Sequence, residues 1–221
     1  MAFLGNIQAW IYPGAPTCDA STEMVGRSIF TLKPEYYTVN ASGNLVQLTV
    51  AVDGCNAFSA ANVAAVKANS SQQYVTVSGK YANFSVLLGD SAKEAACTST
   101  LVNFVNAQGL SGVELDWEGF GAWTATKYAQ YKTYVNALGL ELQKYGKKLM
   151  IDCPHIANAT EQGWWLFKYE DFDSLSGVDY LCIMSYDNQW NHGGGSSVQP
   201  LTWATNGYNW AAARVSDVTR L

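Results

Sequence analysis

The sequence predicts a single α/β domain, a parallel (β/α) barrel that stops short of closing. Short apolar runs with strand character alternate with helix-patterned stretches along the whole chain. No linker, charge block or repeat of solenoid length divides it. About six strand–helix units can be counted, against the eight of a closed barrel.

Asn6–Tyr12 reads as the first strand, stopped by Pro13-Gly14. Lys33–Val39 is the second, and the turn Ala41-Ser42-Gly43-Asn44 folds Leu45–Val52 back in a hairpin-like excursion. Phe58–Ala68 is an Ala-rich helix opened by Ser59, and Gln73–Ser78 is the third strand, ended by Gly79. Ser91-Ala92-Lys93-Glu94 has the spacing of a capping box, in which each end's side chain satisfies a free backbone N–H of the first turn. That helix runs through Leu101, Phe104 and Val105 to Gly109. Ser111–Glu118 is the fourth strand. Tyr128, Tyr131, Val135, Leu138, Leu142 and Tyr145 then mark one face of a longer helix, ended by Gly146. Lys148–Cys153 is the fifth strand, closed by Pro154. Val178–Tyr186 is the sixth, nearly continuous in apolar residues, as a strand buried on both faces should be. A Gly-rich loop, His192–Ser196, leads to a last helix over about Asn206–Arg220. Nothing after Tyr186 reads as a strand, because Pro200 breaks Gln199–Ala204. Six strands leave the first and last with unpaired backbone groups. Residues 1–221 are therefore expected to belong to a longer polypeptide or to be completed by another chain.

The fourth strand carries the chemistry. Glu114, Asp116 and Glu118 alternate with Val113, Leu115 and Trp117. Successive strand side chains point to opposite faces, so the carboxylates share one face, spaced roughly 6–7 Å apart. Their ionisations should couple, and at least one should keep its proton well above the ordinary value of about 4.3 for Glu. A carboxyl protonated near neutral pH is what a general acid requires. An acidic edge strand would be the bland alternative, but Trp117 is costly to expose and the flanking Leu110 and Val113 read as buried.

Composition narrows the partner. The chain is 48% hydrophobic and 14% charged, with eight Trp, thirteen Tyr and a formal charge of -5. This balance argues against nucleic acid or an anionic membrane as partner. It suits a neutral ligand such as a carbohydrate, although most of the aromatics belong to the core. No stretch approaches the roughly 20 continuous apolar residues of a membrane span. Met1-Ala2-Phe3-Leu4 runs straight into the first strand, so an export signal would have been removed or lie outside this chain. Sequons at Asn40, Asn69, Asn83 and Asn158 are candidate N-glycosylation sites and point to a secreted protein. The five cysteines, Cys18, Cys55, Cys97, Cys153 and Cys182, show no metal-ligand spacing, and their odd number leaves at least one without an intrachain partner. For Cys153 and Cys182, on predicted strands, a free buried thiol is the default.

Gly112-Val113-Glu114-Leu115-Asp116-Trp117-Glu118 resembles the DGxDxDxE signature on the fourth barrel strand of glycoside hydrolase family 18, the chitinase family. Ser111 stands where the first Asp is usual and Glu114 replaces the middle Asp; Asp116 and Glu118 match. Tyr74–Gly79 is similar to the family's SxGG third strand, with Thr76 for Ser and Ser78 for the first Gly. Met184-Ser185-Tyr186-Asp187 fits its MxYD sixth strand. The resemblance covers essentially the whole chain and implies a TIM (β/α)8 barrel, incomplete here and lacking the family's eighth-strand Trp.

The resemblance implies Glu118 as general acid, Asp116 as its proton-sharing neighbour and ligand of the substrate's acetamido N–H, and Tyr186 as a hydroxyl donor to the acetamido group. Barrel sites form at the C-terminal ends of strands, which gathers Tyr12, Glu118, Asp152, Tyr186 and Asp187 around one mouth. Asp187, Met184, Glu114, Tyr12 and Trp190 are expected to line the substrate site, with Trp10, Tyr12 and Trp190 as stacking surfaces. The implied substrate is chitin or an N-acetylglucosamine oligosaccharide, cleaved with retention, with no cofactor. A chitinase-like lectin or structural extracellular protein, and an endo-β-N-acetylglucosaminidase acting on N-glycans, are alternatives on the same fold. The presence of Glu118 favours catalysis.

Overall fold

The computed structural model describes residues 6–14, 29–189 and 193–221. Its strands are β1 (Gln8–Ile11), β2 (Thr31–Val39), β3 (Leu45–Gln47), β4 (Gln72–Gly79), β5 (Gly112–Trp117), β6 (Lys148–Pro154) and β7 (Tyr180–Met184). Apart from β3 they stand side by side in the order β1-β2-β4-β5-β6-β7, each pair parallel. β3 pairs antiparallel with β2 as the expected hairpin excursion. Parallel neighbours need long crossovers, and helices supply most of them. These are α1 (Ala60–Ala68), α2 (Tyr81–Leu87), α3 (Ser91–Gln108), α4 (Ala125–Gln143), α5 (Ala159–Trp165) and α6 (Tyr169–Asp173). α7 (Leu201–Ala212) follows β7. No helix among the described residues is long and apolar enough to cross a membrane.

The sheet is open, as the strand count predicts. Among the described residues β1 and β7 each have a sheet neighbour on one side only. A cavity of about 730 Å³ lies between them, lined by Gln8 and Trp10 on one edge and by Tyr180, Cys182 and Ile183 on the other. This corrects the expectation for the sixth parallel strand: within Tyr180–Met184 only Leu181 is buried. Its apolar sequence is that of an inner strand, but among the described residues no strand covers its far side.

The outward face of β5 anchors the core. Val113, Leu115 and Trp117 are fully buried. The Trp117 ring is stacked between Phe84 (centroids 5.0 Å apart) and Tyr134 (5.4 Å). Gly112 lets β5 lie against β6, since a Cβ there would stand 2.1 Å from the Lys148 carbonyl oxygen. The carboxylates must then face the interior.

Local corrections concern helix ends. Asp90, one residue before the expected Ser91, caps α3: its Oδ1 accepts from the N–H groups of Ala92 and Lys93, while Glu94 Oε1 accepts from Gly89 N–H. A carboxylate meets the helix dipole with full charge, and Asp90 also pairs with Lys93. Gly109 ends α3 in the left-handed region (φ 64), as expected. The last helix starts at Leu201 rather than near Asn206, because Pro200 precedes the first turn, where it initiates rather than breaks. Val218–Arg220 is only a short 3-10 turn. Helices α2, α5 and α6 were not anticipated; each is too short to show a helical period.

Cys97, Cys153 and Cys182 are free thiols, whereas Cys55 is disulfide-bonded. Of the sequon asparagines, Asn69 and Asn83 donate their amide nitrogen to the carbonyls of Ala65 and Val39. Asn158 is exposed at the start of α5, and Asn40 shapes the turn before β3.

Candidate active site

The three carboxylates of the β5 row climb from a sealed floor to an open mouth. Glu114 is fully buried. Its Oε1 accepts from Lys33 Nζ at 2.6 Å, and its Oε2 accepts from Trp10 Nε1 at 2.9 Å and from Thr76 Oγ1 at 2.5 Å. Glu114 was expected to line the substrate site; the structure seals it in the floor, with no surface exposed. Asp152 on β6 is likewise in the floor, 1% exposed, not at the mouth. Burial, followed by the charges of Glu114 and Asp116, holds its carboxyl well above the ordinary range.

One step up, Asp116 is half-buried and its Oδ1 has no hydrogen-bond partner. Burial first, then the charges of Glu118, Glu114 and Glu35, push its carboxyl up to about 8. Within the β5 row, Asp116 is thus a carboxyl that keeps its proton near neutral pH. It is hydrogen-bonded to Glu118, an interaction that favours the proton on Asp116. Glu118, just past the end of β5, is exposed; burial also raises its carboxyl, and nearby Asp187 adds to the effect. The two carboxyls are adjacent, and Glu118 is the more exposed of them.

Glu118 opens onto a cleft of about 250 Å³ shared with Met184, Tyr186, Asp187, Phe120, His155, Trp165 and Trp203. Tyr186 is 37% exposed and meets Trp10 edge-on, with centroids 6.1 Å apart. Burial and the facing acids Asp152, Asp116 and Glu118 push its hydroxyl well above the ordinary value, so it stays a proton donor. Asp187 takes a left-handed backbone (φ 62) and is exposed, turning the chain at the rim. Tyr12 is 76% exposed and does not line this cleft, and Trp190 lies outside the described residues. Trp10 lies against Lys33 and Tyr186.

Phe120, His155, Trp165 and Trp203 of this cleft escaped the sequence reading. The His155 ring stacks on Trp203 at 3.6 Å, with Nδ1 3.2 Å from Ser185 Oγ, and burial depresses its pKa so that it is neutral. His155 follows the end of β6, where the strand-end rule that flagged Asp187 applies equally. Trp203 was hidden because its helix was placed too late. Lys33 carries no motif, and its partner lies 81 residues away.

Solved structures reproduce this architecture. A class V chitinase of Pseudomonas fluorescens Pf-5 matches with TM-score 0.75 and 20% identity, over 96% of this chain and 65% of that one. A chitinase of Chromobacterium violaceum ATCC 12472 matches with TM-score 0.75 and 19% identity, over 96% of this chain and 66% of that one. A spore cortex-lytic enzyme of Bacillus megaterium QM B1551 also reaches TM-score 0.75, with 12% identity, over 96% of this chain and 48% of that one. The chain thus spans about two thirds of the length of the two chitinases. No curated protein matches the sequence. The model of glycosyl hydrolases family 18 matches residues 33–217, which takes in β2 to α7 and every carboxylate of the site, and the chain belongs to that family.

Proposed function

We propose that this domain hydrolyses β-1,4-linked N-acetylglucosamine polymers, chitin and its oligosaccharides, by a retaining, substrate-assisted mechanism. The observation that carries the reading is the Asp116–Glu118 pair: a half-buried carboxyl hydrogen-bonded to an exposed carboxyl that opens onto the cleft. Glu118 protonates the glycosidic oxygen as the substrate's acetamido oxygen attacks the anomeric carbon. Asp116 resupplies the proton to Glu118 and accepts from the acetamido N–H, which favours the attacking rotamer. The Tyr186 hydroxyl donates to the acetamido group as charge develops on it. Water then opens the oxazolinium ion with Glu118 as base, and configuration is retained.

Hydrolysis of chitin oligosaccharides followed by NMR tests the reading. The retained anomer should appear first, and a thiazoline analogue of the oxazolinium ion should inhibit. First release of the inverted anomer would refute substrate assistance. Binding without turnover would identify a lectin, and cleavage confined to N-glycoproteins would identify an endo-β-N-acetylglucosaminidase.

The open edges of β1 and β7 support a second element of the proposal, closure of the barrel by further chain. A cooperative melt with full turnover from residues 1–221 alone would show that six parallel strands suffice. The Cys55 disulfide and the exposed sequon at Asn158 support secretion. A mobility shift on deglycosylation after expression in a eukaryotic host would test that.

A further inference from the structure

Lys33, in the middle of β2, is a fully buried cation. Its Nζ lies 2.6 Å from Glu114 Oε1, 3.5 Å from Cys182 Sγ and 3.5 Å from the centroid of the Trp10 ring. Neither side chain of the Lys33–Glu114 pair is exposed to solvent. Such a pair adds little net stability, because desolvating both charges offsets their attraction, and an apolar filling of equal volume often folds as well. The reason for a charge here lies in what surrounds it.

Glu114, Asp152 and Cys182 face the ammonium itself, and further acids stand beyond them. Glu35 comes from β2, Glu114, Asp116 and Glu118 from β5 and its end, Asp152 from β6, and Cys182 from β7, with Tyr186 and Asp187 just beyond. Glu114, Asp152 and Cys182 bring their ligand atoms within 4.8 Å of one another. The ammonium of Lys33 already sits on two of the three, so the positive charge at this point is built into the chain. Glu114 accepts three donors, one of them the Lys33 ammonium. Its length carries that carboxylate to β2, two strands away in the sheet.

We propose that Lys33 is a positioning residue for catalysis: by pinning Glu114 as an anion in the floor, it confines the mobile proton of the row to Asp116 and Glu118 at the mouth. Residue 33 thereby sets the pH range over which the acid is armed. The rate consequences rest on the hydrolase reading above; the proton placement does not.

The test is a carbon-13 NMR titration of the side-chain carboxyls, paired with pH profiles of kcat/KM, in Lys33→Met, Glu114→Gln and the double variant. Lys33 offsets the charge of Glu114, which faces Asp116, so Lys33→Met should move the Asp116 midpoint and the alkaline limb of activity upward by about one pH unit. Glu114→Gln leaves the ammonium uncompensated and should move both downward by about as much. The double variant removes both charges and should return both toward wild type. Midpoints that stay put in the single variants, or that shift in the same direction in both, would overturn the proposal and leave Lys33 a packing residue. Should Lys33→Met not fold, the opposite shift in Glu114→Gln and its reversal in the double variant still decide. Should the wild type cleave no N-acetylglucosamine substrate, the function proposal fails, while the NMR midpoints still judge Lys33.

Discussion

Glu114 and Asp116 sit two residues apart on one strand, face the same interior and differ by one methylene, yet their surroundings are opposite. In the floor, Glu114 is saturated by three donors, one of them a buried ammonium. At the mouth, Asp116 has an unpartnered oxygen and three acidic neighbours, and its proton stays on to about pH 8. A saturated charge is fixed, whereas an unsaturated and repelled one keeps a proton it can give away. The difference teaches that the three acids of the row are not equivalent: the lowest is held by its donors, and the next is left unsatisfied. Perturbing the mouth should appear in the size of the rate, perturbing the charges below it in the pH range of activity, and perturbing the packing around them in stability.

The largest expected effect is at the mouth. Glu118→Gln keeps the shape of the acid and removes its proton, so turnover on chitin oligosaccharides should fall by about 10²–10⁴-fold. Isothermal titration should still detect sugar binding, and near-wild-type hydrolysis would remove Glu118 from its role. Behind the row, Trp117→Ala should cost about 3–5 kcal/mol in a denaturant melt, because it empties the stack between Phe84 and Tyr134. A loss below about 1 kcal/mol would mean that this stack does not anchor β5.

Tyr186→Phe should lower kcat by about 10²-fold with little change in melting temperature, since only a hydroxyl donor is lost. Unaltered kcat would make the ring a packing element.

The proton on Asp116 also gives stability a pH dependence whose sign is fixed. Its folded value, about 8, lies above its ordinary value of 3.8. The contribution is therefore fully present below pH 3.8 and is lost as pH rises through about 8. Asp152 and Glu118 are raised in the same direction. Relative to Asp116→Asn, the wild type should lose stability steadily from pH 4 to 8; parallel curves would show that Asp116 does not hold the proton. The smallest effect is in the floor, where Thr76→Val removes one donor to Glu114 and should cost about 1–3 kcal/mol of stability. A collapse of kcat with unchanged stability would break the division between floor and mouth.

Much of this architecture was legible along the chain. Strand alternation put Glu114, Asp116 and Glu118 on one face and Trp117 on the other, and the sheet keeps that assignment. Gly109 marked the end of α3, and the count of six parallel strands holds among the described residues. Errors gathered where the deciding contact was a neighbour's property. β7 looked like an inner strand because its sequence is one, and its exposure depends on what does not lie beside it. Pro200 signals a broken strand or the start of a helix, and only the packing of α7 on the His155 side distinguishes them.

By itself the sequence determined the alternation of strands and helices, the family and the facing of the carboxylate row, because each follows from periods of two to four residues or from contiguous motifs. Tertiary structure alone decided which carboxylate is sealed and which is free to exchange its proton. That depends on Lys33 and Trp10 reaching Glu114 across separations of 81 and 104 residues, and on the shape of the cleft above Glu118. Charge states in an interior are set by the nearest donors and by exclusion of water, and neither is a property of any local stretch of chain.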